Sequence, residues 1–142
     1  MRPGTLPVPL IAGFGLAAQL ALSDNLKRRN VALAVRIAAL AALEPLKPTL
    51  IGDQLFAMPH VLSLAFSGMD SEALMLALKD LVALSNGSAC TSANYQPSHV
   101  LLSMGLPEEV VEGAVRLSWS HLAPAPDWSG IAAAISSSRL DV

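Results

Sequence analysis

A helix-spaced run of apolar residues fills the first third of the chain and is bounded at both ends by proline. Pro7 and Pro9 suit the first turn of a helix, where a missing N–H is no loss, while Pro45 and Pro48 stop one. Between them Leu10, Phe14, Ala17 and Ala21 recur at +4, +3 and +4. After the polar patch Ser23–Asn30 the same spacing resumes at Val31, Val35, Ala38 and Ala42. The pattern predicts one long helix, or two stacked end to end, with these residues as its apolar face. A matching face must exist elsewhere to cover it.

Hydropathy alone invites a membrane reading. Charged residues make up 14% of the chain and mean hydropathy is +0.52, against roughly 25% charged in ordinary soluble domains. The longest apolar runs, Leu10–Leu22 and Val31–Leu43, are 13 residues each, short of the ~20 that span a bilayer. Alanine and leucine supply much of the hydropathy, which points to helices packed on protein. Arg2 ahead of an apolar stretch ending Ala21-Leu22-Ser23 imitates a signal peptide. The early prolines, and a helical pattern that continues into charged sequence, argue against that. The expectation is therefore a cytoplasmic chain with no membrane partner.

The length, 142 residues, suits one domain with a single core. After the helix, Thr49–Asp53 reads as a short strand into a turn and His60–Phe66 as a second strand. Asp70 or Ser71 can cap a helix over Glu72–Leu78. Leu81–Leu84 reads as a buried strand. A helix over Pro97–Met104 should end at Gly105, and a shorter one should follow Pro107. Ala114–Trp119 reads as a strand, and Asp127–Ser137 as a last helix. Helices alternating with strands make an α/β domain.

The lone cysteine, Cys90, sits among Ser88, Ala89, Thr91 and Ser92, a small polar run. Cysteine more often hides in cores, where its thiol is inert, so Cys90 is the first candidate for chemistry. One cysteine allows no intramolecular disulfide, in keeping with a reducing compartment. His60, His99 and His121 lack metal-ligand spacing, and no metal site is expected. His99 reads as a residue at a helix start in preference to a base for Cys90. Gly13-Phe14-Gly15-Leu16-Ala17-Ala18 imitates a dinucleotide fingerprint but has no strand before it and no acidic residue at the needed distance. Lys27, Arg28 and Arg29 read as a solvated helix face, and a net charge of −2 gives no reason to expect nucleic acid. Arg116, between apolar neighbours in its strand, is expected to be buried and hence paired. Its partner is either an acidic side chain of this chain or a ligand carboxylate, which suits the guanidinium fork. Arg2-Pro3-Gly4-Thr5, before a helix, has a hydroxyl and backbone N–H groups that could hold a phosphate.

These pieces stand in a familiar order. Arg2-Pro3-Gly4-Thr5-Leu6-Pro7-Val8, Ala77-Leu78-Lys79-Asp80, Ser88-Ala89-Cys90-Thr91-Ser92-Ala93, Pro97-Ser98-His99-Val100-Leu101 and Met104-Gly105-Leu106 strongly resemble the C-terminal part of cysteine desulfurases of the long-loop group. These are class V aminotransferase-type enzymes, within the fold-type I pyridoxal-phosphate-dependent transferases. The resemblance runs to about Ser120. The segment Arg116-Leu117-Ser118-Trp119-Ser120-His121 is similar to the subgroup that supplies sulfur for DNA phosphorothioation.

The resemblance implies a small C-terminal α/β domain: a long N-terminal helix plus a small sheet with covering helices. It implies Cys90 as the nucleophile that takes sulfur from L-cysteine as a persulfide and releases L-alanine. Arg116 would bind the substrate carboxylate. Thr5 would touch the phosphate of pyridoxal phosphate in the neighbouring subunit of a homodimer. His99 falls where the family often has an aromatic residue. A sulfur-acceptor protein is implied as partner, with iron–sulfur cluster assembly or DNA phosphorothioation as destinations.

The family's cofactor lysine directly follows a histidine, and here none of His60, His99 and His121 is followed by lysine. The pyridoxal-phosphate-binding large domain is therefore expected to be absent, the isolated chain inactive, and an apolar surface left bare where that domain would lie. A gene remnant, an incomplete gene model and a split enzyme all fit, and Met1 at what would be a mid-protein position favours the first two. A non-enzymatic carrier, taking sulfur on Cys90 from another protein, is the alternative function.

Overall fold

The computed structural model describes residues 4–86 and 97–139. Helix α1 (Val8–Leu43) is a single element of 36 residues, about 54 Å long at 1.5 Å per residue. A compact domain of this size is only about 37 Å across, from a radius of gyration near 14 Å. One end of α1 must therefore overhang. The overhang is the N-terminal half: the buried residues of α1 are Ala32, Arg36, Ala39 and Leu43. Leu10 (73% exposed), Phe14 (79%) and Leu22 (84%) lie open.

The buried face of α1 is offset by one residue from the one expected, Val31–Val35–Ala38–Ala42. The spacing is right and the phase is wrong. In a segment apolar nearly all round, a one-residue shift (about 100° of rotation) costs the pattern little, and the sheet selects the face.

A 3₁₀ turn (Glu44–Leu46) follows α1, and Lys47, at φ 51°, turns the chain into β1 (Thr49–Leu50). Next come β2 (Val61–Ala65), α2 (Ser71–Leu78), β3 (Ser85–Asn86), α3 (His99–Ser103), α4 (Glu108–Glu112), β4 (Ala114–Ser118) and α5 (Trp128–Ser138). The described strands form one antiparallel sheet in the order β1-β2-β4-β3. Capping sets several helix starts. Asp70 Oδ1 accepts from the N–H groups of Glu72 and Ala73, both at 2.9 Å, and Asp127 Oδ1 accepts from Gly130 N–H at 3.0 Å. Gly105, at φ 72°, lies just beyond α3 as the sequence predicts. Gly113 is required by close approach, since a Cβ there would lie 2.6 Å from the Met69 carbonyl oxygen.

Leu62 and Leu64 of β2 and Val115 and Leu117 of β4 point to one face, where α1, α2 and α5 cover them with Ala39, Leu43, Leu74, Leu78, Ile131 and Ile135. The other face is only partly covered. Ala65 and Ala114 lie beneath Leu101 and Val111 of α3 and α4; the remainder is open.

The expected strand over Leu81–Leu84 is not formed. The N–H groups of Leu81 and Val82 bond back to the Leu78 carbonyl at 2.9 Å, so the chain turns there and pairs only at Ser85–Asn86. No helix among the described residues is long and apolar enough to cross a membrane.

Candidate functional site

The open part of the sheet carries Arg116. Cross-strand pairing sets it between Ser63 of β2 and Ser85 of β3, so the three side chains form a row on one face. Arg116 is exposed, with no hydrogen bond or ion pair to any described residue. This corrects the expectation of a buried, paired arginine. With a period of two, the neighbours Val115 and Leu117 occupy the core, and position 116 is turned to the opposite, uncovered face.

Cys90 lies outside the described residues. Asn86, the last described residue before it, pairs with Val115, next to Arg116. Thr5 is exposed, three residues ahead of α1, and its hydroxyl bonds to no described residue. The start of α1 lies about 36 Å along the helix axis from Ala32, its first buried residue. The structure thus sets Thr5 at the overhanging end of α1 and Arg116 on the sheet, in no common cleft. His99 opens α3 and is exposed, in line with its reading as a helix-start residue.

Two arrangements were not legible in the sequence. Arg36, the one charged residue within the run Val31–Leu43, is buried (7% exposed). Its Nη1 donates to the carbonyl oxygens of Val61 (2.5 Å) and Met58 (3.5 Å), and its Nη2 to Oε1 of Gln54. Gln54 in turn donates to the Gly52 carbonyl at 2.7 Å. The guanidinium ties α1 to the β1–β2 connection through carbonyl oxygens, without a carboxylate.

The second is a cleft of about 510 Å³ between the middle of α1 and one end of the sheet. Arg28, Arg29, His60, Met58, Trp119 and His121 line it, among others. The register Val61↔Ser118 brings His60 and the Trp119–His121 segment to the same end. Trp119 fastens that end to α1, its Nε1 donating to the Ala32 carbonyl at 3.0 Å. The basic cluster at 27–29 is therefore not wholly a solvated face. Arg28 bonds Asp24 at 3.1 Å, and this bond, with a lesser one from Ser23, holds the Asp24 carboxyl below its ordinary 3.8. No group of three or more metal-ligating side chains occurs among the described residues.

Pyridoxal phosphate, which the sequence resemblance implies, needs an amine for its aldehyde and a cradle for its phosphate. Lys27, Lys47 and Lys79 line neither this cleft nor the small apolar space of about 10 Å³ between the sheet, α2 and α5. The described residues do not by themselves form a site for that group.

Comparison with known proteins agrees with the fold. The family model of class V aminotransferases matches residues 1–127. A protein of Vibrio campbellii named cysteine desulfurase IscS is 42% identical over 121 residues, which is 84% of this chain and 30% of the relative. One of the same name from Rickettsia africae is 44% identical over 119 residues, 82% of this chain and 28% of the relative. The chain thus spans under a third of the length of these curated relatives. Among solved structures, a NifS-like protein of Rickettsia africae superposes with TM-score 0.74 over 99% of this chain and 37% of its own, at 24% identity, a likeness of fold. DndA from Streptomyces lividans superposes with TM-score 0.60 at 38% identity, over 84% of this chain and 33% of its own.

Proposed function

The chain belongs to the class V aminotransferase family, and from that premise we propose that it is the small, sulfur-accepting domain of a cysteine desulfurase. The observation that carries this reading is Arg116, an exposed guanidinium with no protein partner among the described residues, in a row with two serines on the open face of the sheet. Its fork suits a carboxylate bidentately, and L-cysteine presents one. Cys90 is four residues beyond Asn86, a separation that extended chain spans in at most about 14 Å.

In the proposed reaction the Cβ–S bond of L-cysteine breaks and an S–S bond to the Cys90 sulfur forms. The products are a Cys90 persulfide and L-alanine, which balances without an external oxidant. Pyridoxal phosphate supplies the activation of the substrate in this family, held by a large domain or second polypeptide. Thr5, on the overhanging end of α1, contacts the cofactor phosphate of a neighbouring subunit in a homodimer. The persulfide passes to an acceptor protein, in the cytoplasm, and the segment Arg116–His121 favours DNA phosphorothioation as its destination over iron–sulfur cluster assembly. The bare apolar half of α1 supports a large partner domain.

The test mixes the chain with L-cysteine, pyridoxal phosphate and a separately produced large domain of a cysteine desulfurase. Alanine and a Cys90 persulfide are expected, both lost in Cys90→Ser. Without the large domain no alanine is expected, and its release there would refute the incompleteness of the site. A persulfide gained from a persulfidated donor protein, with no alanine in any mixture, would replace this reading with a non-enzymatic carrier.

A further inference from the structure

We propose that the cleft between the middle of α1 and the β2–β4 end of the sheet binds the phosphate group of a small phosphate monoester with an apolar body. Its volume, about 510 Å³, lies within the roughly 300–1,000 Å³ of small-molecule sites. Two guanidinium groups, Arg28 and Arg29, and two imidazoles, His60 and His121, line it, and no carboxylate does. Asp24 bonds one branch of Arg28, through Nη2 at 3.1 Å. The Nε of the same guanidinium is buried and has no acceptor among the described residues. That Nε is enclosed by protein, so a ligand in the cleft would be met by the terminal nitrogens of Arg28 and Arg29.

The donors outnumber what one carboxylate accepts, whereas a phosphate dianion has three terminal oxygens for them. Asn25 and Ser120 add polar groups, and the remainder of the wall is apolar. Met58 contributes its thioether, and the indole of Trp119 has its N–H engaged by the Ala32 carbonyl, leaving ring surface. A bare anion would leave that wall wetted, and an ester with a flat or apolar body would cover it.

The site does not depend on the desulfurase reading, since it uses neither Arg116 nor Cys90. Isothermal titration of the full chain with adenosine 5′-monophosphate, inorganic phosphate, adenosine and acetate tests it. The monophosphate should bind at least tenfold tighter than any of the other three. Arg29→Ala and His121→Ala, both surface changes, should each weaken it at least fivefold with an unchanged circular dichroism spectrum. Binding of inorganic phosphate as tight as the ester would overturn the role of the apolar wall. Ester binding no tighter than acetate, or unmoved by Arg29→Ala, would overturn the site.

Discussion

Removing the Arg36 guanidinium should destabilise the fold more than any change at an exposed arginine. Arg36→Met keeps much of the stem volume and deletes the fork. Two of its bonds, to the Val61 carbonyl and to Gln54, are short; the third, to Met58 at 3.5 Å, is marginal. Bonds from a charged donor contribute about 1.5–3 kcal/mol each, so the two good ones give about 3–6 kcal/mol. Burying a cation among carbonyl oxygens, with no carboxylate to compensate, offsets part of this. The remainder is about 2–4 kcal/mol, a large share of a total stability of roughly 5–15 kcal/mol. At about 3 °C per kcal/mol for a domain of this size, Tm should fall by roughly 6–12 °C.

Scanning calorimetry gives Tm, and urea unfolding should show a lower midpoint at an unchanged slope. Arg36→Lys should fall in between, because one ammonium cannot reach acceptors on both branches of the fork. A Tm for Arg36→Met within 1 °C of the unsubstituted chain would refute the role given to these bonds.

Two further outcomes follow from the surface of α1. The Asp24 carboxyl is held below 3.8 by Arg28 first and by Ser23 second, so its folded-state pKa is depressed. Its contribution to the helix is therefore present above about pH 4 and lost as pH falls through the folded value; NMR titration should show a midpoint below 3.8, raised in Arg28→Ala with the lowering by Ser23 left in place, and a midpoint unmoved by that change would contradict the assignment. On the overhanging half, Leu10 and Phe14 are 73% and 79% exposed, and replacing both by serine should reduce self-association in sedimentation velocity while changing stability by no more than about 0.5 kcal/mol per site. Loss of folding on that double change would show that the overhang is packed after all.

Local chemistry was readable wherever one residue decides the outcome. Asp70 starts α2, Gly105 ends α3, Pro107 precedes α4, and the prolines at 45 and 48 close α1. Cys90 and Arg116 were singled out by residue type and setting, and the first now rests on its sequence alone. Placement of Arg116 in a strand was legible, but its burial was not: apolar flanks read the same whether the odd residue faces a covered or an open side. The run Leu81–Leu84 looked like a strand because hydropathy does not reveal a turn held by bonds to the Leu78 carbonyl.

The sequence by itself determined where helices begin and end, which strands alternate, and which residue types are available for sulfur and carboxylate chemistry. These depend on caps, fixed φ angles and side-chain periods, all set within a few residues. Tertiary structure alone decided which stripe of α1 is buried, that Arg36 belongs to the core, and that His60, His121 and Arg28 line one cleft. Those outcomes depend on strand register and on a helix packing over residues distant in the chain. No local pattern encodes them, because a helix apolar on every side can present several faces and only the partner surface chooses one.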